Sequence, residues 1–164
     1  MRTAVCPGSF DPVTKGHLDI IKRASRLFDK VIVVVLQNTA KHSTFSVEER
    51  VHFIQESTRD IENVSVESYD DLLMDYCRLR NAVAVVKGLR AVTDFEYEFQ
   101  MSLINKQLNP DIETVFINTA QEYMFLSSSV VREVASFGGD VSQFVPDPIS
   151  EEITKKLVKG GDTI

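Results

Sequence analysis

The sequence predicts an α/β fold: a single doubly wound, five-stranded parallel sheet of strand order 3-2-1-4-5, covered by helices and closed by C-terminal helices. Three observations lead there. Short, β-branched apolar runs recur at Thr3 to Cys6, Val31 to Leu36, Val64 to Val66, Ala82 to Val86 and Thr114 to Ile117. Segments of helical periodicity lie between them, and each run is nearly continuous, as strands buried on both faces must be. At 164 residues with 43% hydrophobic residues, the chain suffices for one such core, so residues 1–159 are expected to form a single domain.

The elements follow in order. The first run passes through Pro7-Gly8-Ser9-Phe10-Asp11-Pro12 to Thr14-Lys15-Gly16-His17, after which Leu18, Ile21, Ala24, Leu27 and Phe28 mark a helix at helical spacing. Ser46-Val47-Glu48-Glu49 is a capping box opening a helix through Ile61. Leu72 to Leu79 and Asp94 to Leu108 continue the alternation, the latter expected to turn Phe95, Phe99 and Tyr97 inward. Past the fifth strand, Ser127-Ser128-Ser129 caps a helix running to about Phe137, and Gly138-Gly139 ends it. Pro146-Asp147-Pro148 then turns into a last helix from Ile149 to Lys159, while residues 160–164 lack apolar periodicity and read as a flexible tail.

Composition removes several function classes. The net charge is −6 and no run of four basic residues occurs, which argues against nucleic acid as a partner. A small anionic substrate stays in reach, because it needs only a local cluster of cations and N–H groups. Cys6 and Cys77 form no Cys-x-x-Cys pair and read as small buried apolar residues. No stretch of eighteen consecutive apolar residues occurs, so no membrane association is expected and the protein should be soluble and cytoplasmic. His17, His42 and His52 show no His-x-x-x-His spacing, so no metal held by protein side chains is expected. Gly-x-Ser-x-Gly is absent, which removes support for acyl-enzyme chemistry.

In a sheet of this order, ligands bind beyond the carboxyl ends of strands one and four, where the order reverses. Three polar loops converge on that edge: Pro7 to His17, Lys87-Gly88-Leu89-Arg90 after strand four, and Gln121 to Ser129 after strand five. Neither the P-loop nor the dinucleotide fingerprint fits the first loop, whose glycines stand eight apart. It places His17 at a helix start, where unpaired N–H groups and the positive dipole end suit phosphate and little core packing is expected. Lys87 and Arg90 flank a glycine that lets a ligand approach the backbone, although alone this reads equally well as a solvated turn. Ser127 to Ser129 cap a helix and also suit a terminal phosphate, and Lys41, in the loop after strand two, borders the same crevice.

The strand-turn-helix ending in Thr14-Lys15-Gly16-His17 resembles the His/Thr-x-Gly-His signature of the nucleotidyltransferase superfamily. Taken with Lys87-Gly88-Leu89-Arg90-Ala91-Val92-Thr93-Asp94-Phe95-Glu96-Tyr97-Glu98, Ser127-Ser128-Ser129 and Gly138-Gly139-Asp140-Val141, the chain closely resembles the bacterial phosphopantetheine adenylyltransferase family from Met1 to about Leu157. That resemblance implies a Rossmann-like sheet and transfer of the adenylyl group of ATP to 4'-phosphopantetheine, giving dephospho-coenzyme A and pyrophosphate. It implies Mg²⁺ carried on the nucleotide phosphates and a homohexamer. By the same resemblance Ser9 and Phe10 approach both substrates, His17 contacts the α-phosphate, Lys41 and Lys87 hold the acceptor phosphate, and Leu73 contacts the pantetheine arm. Gly88, Leu89, Arg90, Glu98 and the stretch Tyr123, Met124, Phe125, Leu126, Ser127, Ser128 and Ser129 bind ATP. His17, Lys41, Lys87 and Arg90 form the catalytic set. One departure is visible: the family usually has arginine where this chain has Lys87. A cytidylyltransferase, a nicotinamide mononucleotide adenylyltransferase and a non-catalytic nucleotide-binding module share the first motif and stay open at this point.

Overall fold

The computed structural model describes residues 1–37 and 42–159, so the expected tail at 160–164 and the position of Lys41 lie outside the described residues. Five parallel strands, β1 (Thr3–Gly8), β2 (Lys30–Leu36), β3 (Val64–Tyr69), β4 (Ala84–Leu89) and β5 (Glu113–Asn118), form one sheet in the order β3-β2-β1-β4-β5. The predicted order holds. Among the described residues, six α-helices accompany them: α1 (Lys15–Leu27), α2 (Val47–Thr58), α3 (Leu73–Leu79), α4 (Val92–Leu108), α5 (Ser128–Ser136) and α6 (Ser150–Lys159). No helix among the described residues is long and apolar enough to cross a membrane.

Side-chain alternation along the strands sorts the core into two layers. Ala4, Cys6, Val31, Val33, Val35, Ala84, Val86 and Ile117 point to one face and bury Ile20, Ile21 and Ala24 of α1, Phe53 and Ile54 of α2, Val131 of α5 and Ile153 of α6. Val5, Ile32, Val34 and Val85 point to the other face and bury Met74, Tyr76 and Cys77 of α3. Both thiols are free and buried. Burial raises their pKa values, to about 12 for Cys6 and about 11 for Cys77.

Two expectations need correction. β4 runs to Leu89, so Lys87, Gly88 and Leu89 belong to the strand rather than to the loop after it. A lysine continues this strand because its ammonium is paired at 3.2 Å with Glu98 on the overlying α4. In α4, Phe95, Tyr97 and Phe99 face outward with relative exposures of 45%, 62% and 47%. The inward stripe is instead Asp94, Glu98, Met101, Ser102 and Asn105, all partly buried. Helical spacing is satisfied by either face, and the carboxylates that meet Lys87 and Arg90 decide which one turns to the sheet.

Ile153 of α6 is fully buried in the larger layer. If residues 1–159 unfold as one cooperative unit, Ile153→Ala should lower unfolding free energy by about 2–5 kcal/mol. Urea denaturation checks this. A loss under about 1 kcal/mol would mean that α6 is a separable appendage.

Candidate active site

β1 ends where the sheet order reverses, and the turn after it is fixed by buried contacts. Phe10 adopts φ +49° and folds its ring over Gly8, where any Cβ would stand 2.9 Å from the ring. Such a conformation costs a non-glycine residue about 1–3 kcal/mol, so surrounding contacts must hold it. They do. The carboxylate of Asp11 accepts the N–H groups of Thr44 at 2.9 Å and Phe45 at 2.8 Å, and Arg132 of α5 donates to the Asp11 carbonyl. Arg50, itself buried, donates from Nη1 to the Ser9 carbonyl at 2.8 Å.

Thr14 caps α1. Its hydroxyl accepts the His17 N–H at 3.3 Å, and its own N–H donates to Nδ1 of His17 at 3.0 Å, which makes a capping box with histidine in the usual glutamate position. The Phe10 ring meets the imidazole edge-on at 5.1 Å. His17 is therefore half-buried and doubly held, not the lightly packed residue its position beside Gly16 suggests.

From the other side of the crevice, β4 supplies Lys87 and Gly88. A Cβ on Gly88 would stand 3.0 Å from Ile20, so α1 lies tight against this strand. Arg90 follows β4 and spans two elements: Nε donates to Asp94 at 3.0 Å and Nη1 to the Leu126 carbonyl at 2.8 Å. The guanidinium thus ties α4 to the segment that leads into α5. There Ser127 caps the helix by accepting the Val130 N–H at 3.1 Å, and the Ser128 hydroxyl donates to the Pro12 carbonyl at 2.7 Å. The N–H groups of this first turn have no intrahelical acceptor.

These pieces enclose a cleft of about 360 Å³, a size suited to a small ligand. Ser9, Phe10, His17, Lys87, Gly88, Arg90, Glu98, Tyr123, Leu126 and Ser127 to Ser129 line it. Two cations, two helix N-termini and an imidazole around one cleft suit oxygens of a polyphosphate. Asp94 and Glu98 keep the cations from being bare. His17 is neutral at ordinary pH: burial, and then the positive charges of Arg90 and Lys87, lower its pKa from 6.5 to about 4. Among the described residues, no group of three His, Cys, Asp or Glu side chains could hold a metal ion.

Comparison with known proteins fits this geometry. A family profile described as "Cytidylyltransferase-like" matches residues 5–134. Among solved structures, a bifunctional NMN adenylyltransferase/ADP ribose pyrophosphatase from Francisella tularensis superimposes with a TM-score of 0.72 at 19% identity, over 99% of this chain and 50% of that one. A putative nicotinate-nucleotide adenylyltransferase from Vibrio parahaemolyticus gives 0.69 at 17% identity, covering 99% and 98% of the two chains. At such identities the likeness is one of fold. Sequence relatives decide more. The phosphopantetheine adenylyltransferase of Caldanaerobacter subterraneus is 56% identical over 97% of this chain and 99% of that protein, and the one from Clostridium tetani is 55% identical over 95% and 98%. The chain belongs to the phosphopantetheine adenylyltransferase family.

Within that family frame, not every expected residue reaches the cleft. Leu73 starts α3 and packs on the smaller core layer, and Leu89, Met124 and Phe125 are also outside the lining, the last two being 51% and 62% exposed. The side chain of Phe10 is buried, which leaves its main chain to face a ligand. Residues without an expected role also appear. Asp94 lines the cleft and orients Arg90, a pairing foreshadowed by their i, i+4 spacing. Asp11, Arg50 and Arg132 anchor the cleft loops from distant chain positions, for which the sequence offers no local signal.

The depressed histidine makes a pH prediction. Between pH 6.5 and about 4 the unfolded chain takes up a proton at His17 that the folded chain refuses, so stability falls as pH drops through that window. Thermal unfolding should therefore show a steeper acid loss of Tm in the native protein than in His17→Gln. Parallel curves would place the imidazole pKa near its ordinary value.

Proposed function

We propose that this chain transfers the adenylyl group of ATP to 4'-phosphopantetheine, forming dephospho-coenzyme A and pyrophosphate, the penultimate step of coenzyme A synthesis. The observation that carries the reading is the cleft at the β1/β4 switch point, where His17, Lys87, Arg90 and the serine-capped start of α5 face one another. Family membership supplies the substrate pair.

In this reading an oxygen of the acceptor phosphate attacks the α-phosphorus of ATP. The bond from that phosphorus to the bridging oxygen breaks, and pyrophosphate leaves with the electron pair. The attacking oxygen is already anionic, so no general base and no covalent enzyme intermediate are required. The site has to align two polyanions and stabilise charge at the attacked phosphorus. His17 donates to the α-phosphate. Lys41 and Lys87 take the acceptor phosphate, Ser9 and the main chain of Phe10 lie between the two substrates, and Leu73, outside the cleft lining, takes the far end of the pantetheine arm. Gly88, Arg90, Glu98, Tyr123, Leu126 and Ser127 to Ser129 bind ATP in the cleft, with Leu89, Met124 and Phe125 outside its lining as chain neighbours of those residues, and with Arg90 and Ser127 to Ser129 on the β- and γ-phosphates. Mg²⁺ arrives on the nucleotide phosphates as part of the substrate.

The chain works as one nucleotidyltransferase domain in a homohexamer. An exposed apolar stripe on α4, with Phe95, Phe99, Leu103 and Leu108 all at least 40% exposed, supports burial against further copies. The enzyme acts in the cytoplasm, where its two thiols stay reduced.

The deciding experiment is pyrophosphate release from ATP that depends on 4'-phosphopantetheine, with CTP and nicotinamide mononucleotide as alternatives. Turnover that needs no phosphopantetheine, or none at all, would overturn the reading. Arg90→Ala should raise KM for ATP far more than KM for the acceptor, and equal effects would redistribute the cations. Lys87→Met should lose most acceptor affinity and turnover, whereas Lys87→Arg should keep both, because a guanidinium retains the charge and adds a bidentate fork. Near-normal acceptor binding by Lys87→Met in calorimetry would leave Lys87 with a structural role only. Light scattering of Phe99→Glu should show smaller assemblies than the native protein if α4 lies between subunits.

A further inference from the structure

Thr14 does more than begin a helix. A main-chain N–H can only donate, and that of Thr14 points at Nδ1 of His17 from 3.0 Å. Nδ1 must then carry its lone pair, and the single proton of a neutral imidazole must sit on Nε2. The Thr14 hydroxyl reaches the same nitrogen at 3.1 Å while also accepting the His17 N–H. The edge-on Phe10 ring restricts rotation of the imidazole plane.

We propose that Thr14 is a positioning residue of the reaction: its main-chain N–H and hydroxyl lock His17 in the Nε2–H tautomer, as a fixed, uncharged donor in the cleft. This rests on the adenylyl-transfer reading, and gives the histidine its chemistry there. A ring locked in this way spends no time flipped or in the wrong tautomer, so the donor is in place before charge develops. The groups facing it are consistent with a neutral ring. Lys87 from β4 and Arg90 beyond it disfavour a second proton, as does the positive end of α1, while Asp94 and Glu98 are occupied with those two cations. The remaining neighbours, Cys6 on β1 and Tyr123 before α5, line the same cleft, and burial raises the pKa of each.

Two isosteric replacements distinguish the ring nitrogens. A glutamine amide reaches about as far as Nε2, and an asparagine amide only as far as Nδ1. His17→Gln should keep turnover within about tenfold of native, whereas His17→Asn should lose on the order of 10²- to 10³-fold, the loss for one transition-state donor. The reverse order would overturn the proposal. Thr14→Val should lower kcat about fivefold to tenfold with little change in either KM, and Thr14→Ser should restore it, as expected for one hydrogen bond. No recovery with serine would remove the hydroxyl from the proposal.

The native protein gives an independent reading that needs no variant to fold. In side-chain ¹⁵N spectra without substrate, His17 should show a bare Nδ1 and a protonated Nε2. An Nδ1–H tautomer or an imidazolium at neutral pH would overturn the lock. Failure of phosphopantetheine-dependent turnover alongside the expected spectrum would instead overturn the functional reading and leave the lock standing.

Discussion

The carboxylate of Asp11 is where the active-site end of the molecule is tied together. It satisfies two N–H groups of the segment before α2, and Arg132 from α5 bonds to the same residue's carbonyl, so three stretches far apart in the chain share one anchor. The Phe45 N–H is buried, and without an acceptor it would cost about 1–3 kcal/mol, which makes this one side chain difficult to replace. Phe10 can hold its left-handed backbone, and so present its ring to both Gly8 and His17, because the next residue is fixed in this way.

The architecture was legible because strand and helix periods are local signals. Continuous apolar runs separated by amphipathic segments specify a parallel sheet, and the reversal of strand order then says which loops meet. Two readings went astray for one shared reason. The strand around Lys87 and the orientation of α4 are both set by ion pairs between them, and a run of apolar residues carries no information about a charge that will be paired. Periodicity found the helix Asp94 to Leu108 but could not choose its face. The anchors at Asp11, Arg50 and Arg132 were invisible for a different reason: their partners are 33 to 121 positions away.

In the cleft, attraction and order are supplied by different groups. Lys87 and Arg90 are the cations of the cleft, the charge available to an anionic ligand, yet each is already engaged by a carboxylate of α4. Pairing weakens their pull on a distant anion and narrows the range of side-chain positions that an arriving one would meet. The neutral imidazole adds a directional donor without a further positive charge to desolvate. A site assembled in this way favours geometry over raw affinity, which suits two polyanionic substrates that must also leave.

The thiol of Cys6 lies on the floor of this cleft with 4% of its surface exposed, and burial lifts its pKa to about 12. Thiolate is the species that electrophiles and oxidants attack, and at neutral pH the folded protein has almost none of it at either cysteine. Alkylating reagents therefore encounter an unreactive native molecule whose sulfurs become available as it opens. Each chain carries two internal clocks, one at the catalytic edge and one on α3, which report the opening of the two core layers.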